Sequence, residues 1–345
     1  MEFIDYIQNK FPNYRVISII GLAKNVSKTT TLNHIINNFP SQYQLGLTSI
    51  GRDGELYDAI SDFPKPRIRI RKGTFVATAQ ESLKNSDIET KEIMNTEIST
   101  PMGQVLILKA LSDGLIELAG PSNNSGIKKV CSELLDLGCN LVLIDGAFDR
   151  RSFASPLVSD ATILSTGASV SKKMDKVIEI TTHTIQLLSL EAEENREIRT
   201  IIKTLLISDK VGIIYNNNTT KSLDLATALT SGKQIAKELT ENTRYVVING
   251  AITDKLLEDI MRYAENVDDI TFIIENATKL FINTNTYNKF LKKGGKIKVL
   301  YPINVIALTI NPTSPYGYNF NKNTFFEALH KKIKVPIFDL GPSQF

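Results

Sequence analysis

One segment of the chain has residue types that could bind phosphate, namely a lysine followed by threonines just after an apolar run. It reads Val16-Ile-Ser-Ile-Ile-Gly21-Leu-Ala-Lys24-Asn25-Val-Ser27-Lys28-Thr29-Thr30. In such a loop the backbone N–H groups point at phosphate oxygens, a lysine adds a mobile positive charge, and the next hydroxyl can bind Mg²⁺. The pattern predicts a nucleotide–Mg²⁺ site with these candidate binding residues: Gly21, Lys24, Asn25, Ser27, Lys28, Thr29 and Thr30.

The segment departs from the common phosphate-loop motif G-x-x-x-x-G-K-[ST] in two ways. Gly21 lies seven residues before Lys28, one more than in the motif, and Ser27 replaces the glycine that precedes the lysine. A left-handed Ser27 would carry a strain of roughly 1–2 kcal/mol. We expect this strain to weaken nucleotide binding, and an ordinary strand-to-helix turn that contains Lys-Thr remains the alternative.

Carboxylates follow several apolar runs at points where Mg²⁺ ligands are expected. Asp145 comes directly after Leu141-Val-Leu-Ile, Glu117 lies near the end of another run, and Asp53 follows a third run, beside Arg52 and Glu55. Because ligands of open parallel sheets bind at the carboxyl ends of the strands, these acids are candidates for one site. We assign Lys28, Asp145 and Glu117 as candidate catalytic residues, and Thr29, Asp53 and Asp145 as candidate metal ligands.

The elements that would position these residues alternate between short apolar runs and longer amphipathic stretches, which predicts an α/β fold with a mainly parallel, doubly wound sheet of P-loop type. The predicted strands of the first half are Arg15–Ile20, Gln44–Ile50, Val105–Lys109, Leu115–Ala119, Leu141–Asp145 and Ala161–Ser165. The predicted helices are Lys28–Asn38, Gly126–Leu137 and Ser171–Leu190, the second of them capped by a left-handed Gly138.

The same alternation returns after the highly charged segment Glu191–Arg199, which is typical of a solvated helix end or a linker. We therefore expect a nucleotide-binding domain over residues 1–195 and a second α/β half over residues 196–345. The sequence leaves open whether the second half forms its own layer or continues the first sheet. Its predicted elements are strands Val211–Tyr215, Arg244–Ile248, Ile270–Ile274, Lys298–Ile310 and Val335–Leu340, and helices Thr253–Ala264, Asn285–Lys292 and Asn323–Lys332.

Composition narrows the functional classes. With 40 Lys+Arg against 37 Asp+Glu the net charge is +3, which gives no electrostatic reason to expect a nucleic-acid or membrane partner. The longest apolar runs fall short of the ~18–20 residues of a membrane span, so a cytoplasmic protein is expected. Cys131 and Cys139 are expected to be small buried apolar residues, and the three histidines are too scattered to predict a zinc or iron site.

Several runs resemble known families. The loop spacing and Glu117-Leu-Ala-Gly120 are similar to the dethiobiotin synthetase group of P-loop proteins. Over most of its length the chain resembles the small subunits of lysine 5,6-aminomutase reactivases. The runs that carry this resemblance are Gly21–Asn25, Leu47–Glu55, Ser99–Gly103, Ile144–Ala147, Ala154–Pro156, Ser159-Asp160 and Asn311–Gly317.

The second resemblance implies an ATP-dependent accessory protein that works with a second reactivase subunit. Such proteins are thought to release damaged cobalamin from an adenosylcobalamin-dependent aminomutase. The family loop reads G-L-A-K-N-x-G-K-T-T, so Ser27 departs from it at the glycine next to Lys28.

Two other functions remain open on the sequence. One is an ATP-dependent ligase acting on a small carboxylate, with Lys24 and Arg52 positioning the substrate. The other is a non-catalytic relic of a phosphate loop that only binds a partner. The loop Asn311–Phe320, with Tyr316 and Tyr318, is equally compatible with a partner contact and with a packed surface loop.

Overall fold

The computed structural model describes residues 2–50, 68–146, 155–208, 210–225, 231–265 and 267–341. The chain divides into two compact units. The first unit contains Met1–Ile178 and Asn304–Phe345, and the second contains Glu179–Ile303. This division differs from the single boundary expected after residue 195, because the last segment of the chain returns to the first unit.

The first unit is built on a nine-stranded sheet. Its strands are β1 Val16–Gly21, β2 Leu45–Ser49, β4 Phe75–Ala79, β5 Thr90–Thr100, β6 Gly103–Ala110, β8 Leu141–Asp145, β9 Ala161–Gly167, β17 Val305–Asn311 and β18 Ile337–Asp339. They lie in the order β18-β17-β9-β1-β8-β2-β4-β6-β5. The strands from β18 to β4 in this order are parallel, and β6 and β5 are antiparallel to their neighbours.

Two further strands of this unit, β3 Ile68–Ile70 and β7 Gly114–Ile116, pair with each other as a separate antiparallel ribbon. The helices that begin in this unit are α1 Phe3–Lys10, α2 Lys28–Asn38, α3 Asn124–Asp136, α4 Met174–Leu188 and α9 Lys322–His330. The division between the units falls within α4.

Helices cover both faces of the large sheet, because alternate residues of its strands point to opposite sides. In β8, Leu141 and Leu143 pack in one cluster with side chains of α1 and α2. Val142 and Ile144 pack in another cluster with α3. A central strand that is apolar on both faces is what a parallel sheet covered by helices requires.

The second unit has its own five-stranded sheet. Its elements are α5 Arg196–Ser208, β10 Val211–Tyr215, β11 Thr220–Leu223, α6 Gly232–Glu238, β12 Thr243–Ile248, β13 Ile252–Thr253, α7 Asp254–Tyr263, β14 Thr271–Ile274, β15 Leu280–Phe281, α8 Thr284–Lys292 and β16 Lys296–Val299. The sheet has the order β11-β10-β12-β14-β16. In it β12, β14 and β16 are parallel to one another, and β10 is antiparallel to both β11 and β12. The second half of the chain therefore supplies a separate sheet and also two strands of the first one.

The α/β class and the mainly parallel sheet expected from the sequence are confirmed. Helix Lys28–Asn38 and strand Leu141–Asp145 have the predicted bounds, and Gly138 has the expected left-handed conformation at φ 92°. The predicted single strand Lys298–Ile310 is wrong. It is two strands in different units, β16 and β17, because the intervening Leu300-Tyr-Pro-Ile-Asn leaves the second sheet and enters the first.

Both cysteines are buried and free, as expected of small apolar residues. They lie in the cluster under α3, where burial raises the pKa of each thiol to about 12. Thiols with such pKa values stay protonated and unreactive at neutral pH.

Candidate functional site

The loop between β1 and α2 leaves the middle of the large sheet. All six residues of β1 are buried, and the strand lies between β9 and β8. Lys28 is the first residue of α2, and the backbone N–H of Thr31 donates to the Ser27 carbonyl at 3.0 Å to close the first turn. The N-terminus of a helix that starts beside the carboxyl ends of parallel strands is a place where anions bind.

Ser27 has the left-handed conformation that its position predicts, with φ 68° and ψ 30°. Asn25 is left-handed as well, at φ 59°. Asparagine tolerates this region better than serine does. The Ser27 side chain makes no capping hydrogen bond to α2; its Oγ instead accepts a hydrogen bond from Asn311 Nδ2 at 2.6 Å.

Gly21 is required by the way in which the loop folds back. A Cβ at this position would lie 2.6 Å from Val26 Cγ2 and 2.9 Å from the aliphatic carbons of Lys28. Val26 is fully buried, so it cannot move aside. The Lys28 stem therefore lies across Gly21, and its Nζ donates to the Ala23 carbonyl at 3.4 Å.

Asp145 ends β8, the strand next to β1. In the parallel register it lies opposite Ile19 of β1 and Ser49 of β2. Burial raises the pKa of its carboxyl to about 6, and the charge of Lys28 acts in the opposite direction. The electrostatic influence of Lys28 on Asp145 places the two predicted site residues in one neighbourhood.

Glu117 is placed differently from the expectation that it ends a strand of the parallel sheet. The strand β7 stops at Ile116 and pairs with β3, and the Glu117 carboxylate accepts a hydrogen bond from Asn85 Nδ2 at 2.9 Å. The following residues do approach the large sheet: Ala119 N–H donates to Thr78 Oγ1, and Gly120 N–H donates to Ser49 Oγ. A Cβ on Gly120 would lie 1.9 Å from the Ser49 carbonyl oxygen, so only glycine fits there.

The remaining predicted ligands lie on the same loop or outside the described residues. Thr29 and Thr30 are half-buried in the first turn of α2, and Lys24 is exposed. The Asn25 carbonyl accepts a hydrogen bond from Ser169 Oγ at 3.0 Å. Asp53, Arg52 and Glu55 lie outside the described residues. Within the described ranges no cluster of three or more His, Cys, Asp or Glu side chains could hold a metal ion.

Sequence reasoning missed the contribution of the C-terminal strand β17 to this site. Thr309 Oγ1 lies 2.8 Å from Ser165 Oγ and 3.0 Å from Thr31 Oγ1, so hydroxyls link β17, β9 and α2 below the loop. At the end of β17, Asn311 reaches Ser27, and Tyr318 O–H donates to the Ala168 carbonyl at 2.9 Å. The polar run that starts at Asn311, directly after an apolar strand, was the available signal.

Comparison of the chain with models of known protein families, with curated proteins and with solved structures gave no match. Among the described helices, none has both the length and the apolar character needed to cross a membrane.

Proposed function

We propose that the loop from Gly21 to Thr30 binds the phosphates of Mg-ATP. The observation that carries this proposal is the placement of Lys28 at the start of α2, from where its charge lowers the pKa of the Asp145 carboxyl at the end of β8. A cation and a carboxylate at the carboxyl ends of adjacent parallel strands are what a Mg-nucleotide site requires.

In this proposal Lys28 contacts the phosphates and the Thr29 hydroxyl faces Mg²⁺. Asp145 holds the metal or one of its waters, and Asp53 and Glu117 remain further candidates for this role. A pKa of about 6 suits Asp145, because a nearby divalent cation would stabilise the ionised carboxylate that burial disfavours. When bound, Mg²⁺ would supply positive charge that offsets the charge of the phosphates.

We assign the first unit to the doubly wound P-loop folds. Helices on both faces of the sheet support this assignment, as does the position of β1 between β9 and β8. From β1 the chain passes through α2 to β2 on one side, whereas β9 and β17 lie on the other side. Such a change of direction is where open α/β sheets form their binding crevice.

For the cellular role we propose an ATP-dependent reactivase that helps an adenosylcobalamin-dependent aminomutase exchange damaged cobalamin. The protein would act in the cytoplasm, together with a second reactivase subunit. The support for this role is the resemblance of the runs around Gly21, Ser49, Asp145 and Asn311. The structure brings the strand ends beside three of these runs, β1, β8 and β17, to the same edge of one sheet.

A thermal-shift experiment tests the nucleotide site. We expect millimolar Mg-ATP to raise the melting temperature of the wild-type protein. Lys28→Ala should weaken Mg-ATP binding by about 10- to 100-fold, because it removes a charge-assisted contact worth roughly 1.5–3 kcal/mol. The matched control is Lys91→Ala, an exposed lysine on the outer strand β5, which should keep the wild-type shift.

Failure of the wild-type protein to respond to Mg-ATP would leave the partner-binding relic as the function. A full shift in Lys28→Ala would mean that nucleotide binds elsewhere. Turnover assays then separate the two catalytic functions. ATP hydrolysis that needs an aminomutase supports the reactivase, and hydrolysis that needs a small carboxylate supports the ligase.

A further inference from the structure

Ser27 holds a left-handed backbone conformation that serine disfavours, with φ 68° and ψ 30°. A left-handed serine costs roughly 1–2 kcal/mol relative to its ordinary conformations. Some contact must offset that cost if the loop is to keep its shape. The structure provides one, the hydrogen bond from Asn311 Nδ2 to Ser27 Oγ at 2.6 Å.

The orientation of the Asn311 amide is fixed by its second hydrogen bond. Its Oδ1 accepts from the backbone N–H of Thr313 at 2.9 Å, which leaves Nδ2 as the donor toward Ser27. Asn311 is only 6% exposed, so loss of either bond would leave a buried polar group without a partner.

Asn311 is itself held on a rigid support. It pairs with Gly167 in the parallel register between β17 and β9, and a Cβ on Gly167 would lie 2.3 Å from the Asn311 carbonyl oxygen. Two residues earlier in β17, the Thr309 hydroxyl forms a hydrogen bond of 3.0 Å with the Thr31 hydroxyl on α2. The end of β17 therefore has a fixed position relative to both the strand beside β1 and the helix that follows the loop.

We infer that Asn311 is a positioning residue of the phosphate loop, which holds Ser27 left-handed so that the loop is already shaped for phosphate before nucleotide binds. Serine at this position would otherwise relax, and nucleotide binding would have to restore the left-handed turn. A glycine at position 27 would adopt the left-handed conformation at little cost, because it has no side chain. At Ser27 the hydrogen bond from Asn311 stabilises the same conformation instead. The inference rests on the proposed nucleotide function.

The test is a double-mutant cycle with Asn311→Ala, Ser27→Gly and both changes together, with Mg-ATP affinity measured by calorimetric titration. In the wild-type background we expect Asn311→Ala to weaken binding about tenfold. In the Ser27→Gly background the same change should have no effect on affinity, because glycine adopts the left-handed conformation without help. A general loss of stability would instead weaken binding equally in both backgrounds, and that result would overturn the inference.

Amide hydrogen exchange of the nucleotide-free protein tests the contact independently of ATP. Asn311→Ala should speed exchange of the loop amides from Val26 to Thr30 by about tenfold. The control Asn319→Ala should leave them unchanged, because Asn319 is exposed and bonds to Ser314 in the same C-terminal loop rather than to Ser27.

Unchanged exchange in Asn311→Ala overturns the inference, whatever the nucleotide result. Faster exchange together with no binding of Mg-ATP by the wild-type protein overturns the proposed function and, with it, the role of Asn311 in nucleotide binding. The two failures are therefore distinguishable.

Discussion

At the scale of single residues, Asp145 combines a cost to the stability of the fold with the role that we propose for it in metal binding. Burial raises the pKa of its carboxyl from 3.8 to about 6, and Lys28 offsets part of this effect. The folded protein therefore holds the Asp145 proton more tightly than the unfolded chain does. The corresponding stability is present below pH about 4 and is lost as the pH rises through about 6.

Asp145→Asn should therefore stabilise the nucleotide-free protein at pH 7.5, by about 2 kcal/mol, and should flatten its stability between pH 4 and 6. The same change should reduce the thermal shift caused by Mg-ATP, because the amide cannot replace the carboxylate beside a cation. Melting curves of the wild-type and variant proteins across this pH range, with and without Mg-ATP, provide the measurement.

The control for this prediction is Asp136→Asn, an exposed aspartate at the end of α3, which should change stability by less than about 0.5 kcal/mol. If Asp145→Asn instead melts at a lower temperature than the wild type at pH 7.5, the Asp145 carboxylate is needed by the fold itself. It would then not be a residue kept for a ligand.

At the scale of elements, the highly charged segment before α5 contains a buried glutamate that its charge pattern does not predict. The charge pattern of Glu191–Arg199 predicts a solvated helix end or a linker, and its last residues do begin α5. Glu191 and Glu194 are exposed as expected, but Glu193 is only 6% exposed. The segment runs beside β16, where the Glu193 N–H donates to the Val299 carbonyl and the Val299 N–H donates to the Glu191 carbonyl. The highly charged stretch therefore continues the second sheet by a short bridge.

The Glu193 carboxylate is held by three groups. It accepts hydrogen bonds from the Asn195 N–H and the Tyr245 hydroxyl at 3.0 Å, and Lys298 Nζ lies 3.4 Å away. Burial alone would raise the pKa of Glu193, but these hydrogen bonds and the lysine charge together lower it below its usual 4.5. Its stabilising effect is thus present above pH about 4.5 and is lost as the pH falls through the lower folded-state pKa.

We expect Glu193→Gln to destabilise the second unit by about 2 kcal/mol at neutral pH, because it weakens bonds from a hydroxyl and an ammonium to a buried acceptor. The difference from wild type should shrink as the pH falls below about 4.5. The neighbouring exposed Glu194→Gln serves as the matched control in denaturant unfolding at several pH values. A Glu193→Gln protein as stable as this control would show that the buried cluster contributes nothing to folding.

At the scale of the whole molecule, the sequence predicts individual helices and strands better than it predicts which strands pair with one another. Helix α2 and strand β8 were predicted to the residue because their apolar patterns and flanking residues are local signals. The long edge strand β5 is mostly exposed and polar, so it lacks the apolar alternation that marks a strand. The pairing of β7 with β3 outside the large sheet and the return of the chain to the first unit depend on contacts between residues far apart in sequence.

The residues of the candidate site also differ in whether the sequence alone identifies them. Lys28, Thr29 and Asp145 are each recognisable from a strand and the residues that follow it. Asn311 lies 284 residues from Ser27, and no local pattern connects them. Because the second unit is inserted between β9 and β17 in the sequence, the residue that hydrogen-bonds to Ser27 follows a long segment that forms a separate unit.

This insertion makes the C-terminal segment part of the first unit, and a truncation tests that dependence. A chain that ends at Ile303 keeps the phosphate loop, α2 and β8, but loses β17 and β18. It also loses the acceptor for the buried Tyr6 hydroxyl, which donates to the Ile306 carbonyl at 2.7 Å, and the contact between Phe3 and Phe338. The fully buried strand β9 would become an open edge, which favours aggregation over folding.

We expect the truncated chain to lose hydrogen-exchange protection in β1 and β9 and to give no thermal shift with Mg-ATP. Protection in β10, β12 and β14 should persist, because every strand of the second sheet lies between residues 179 and 303. Co-expression of residues 304–345 as a separate chain is the control, and it should restore protection in β9. Wild-type protection of β1 and β9 in the truncated chain would mean that the first sheet folds without β17, so the C-terminal segment would be an addition to the first unit and not a component of its fold.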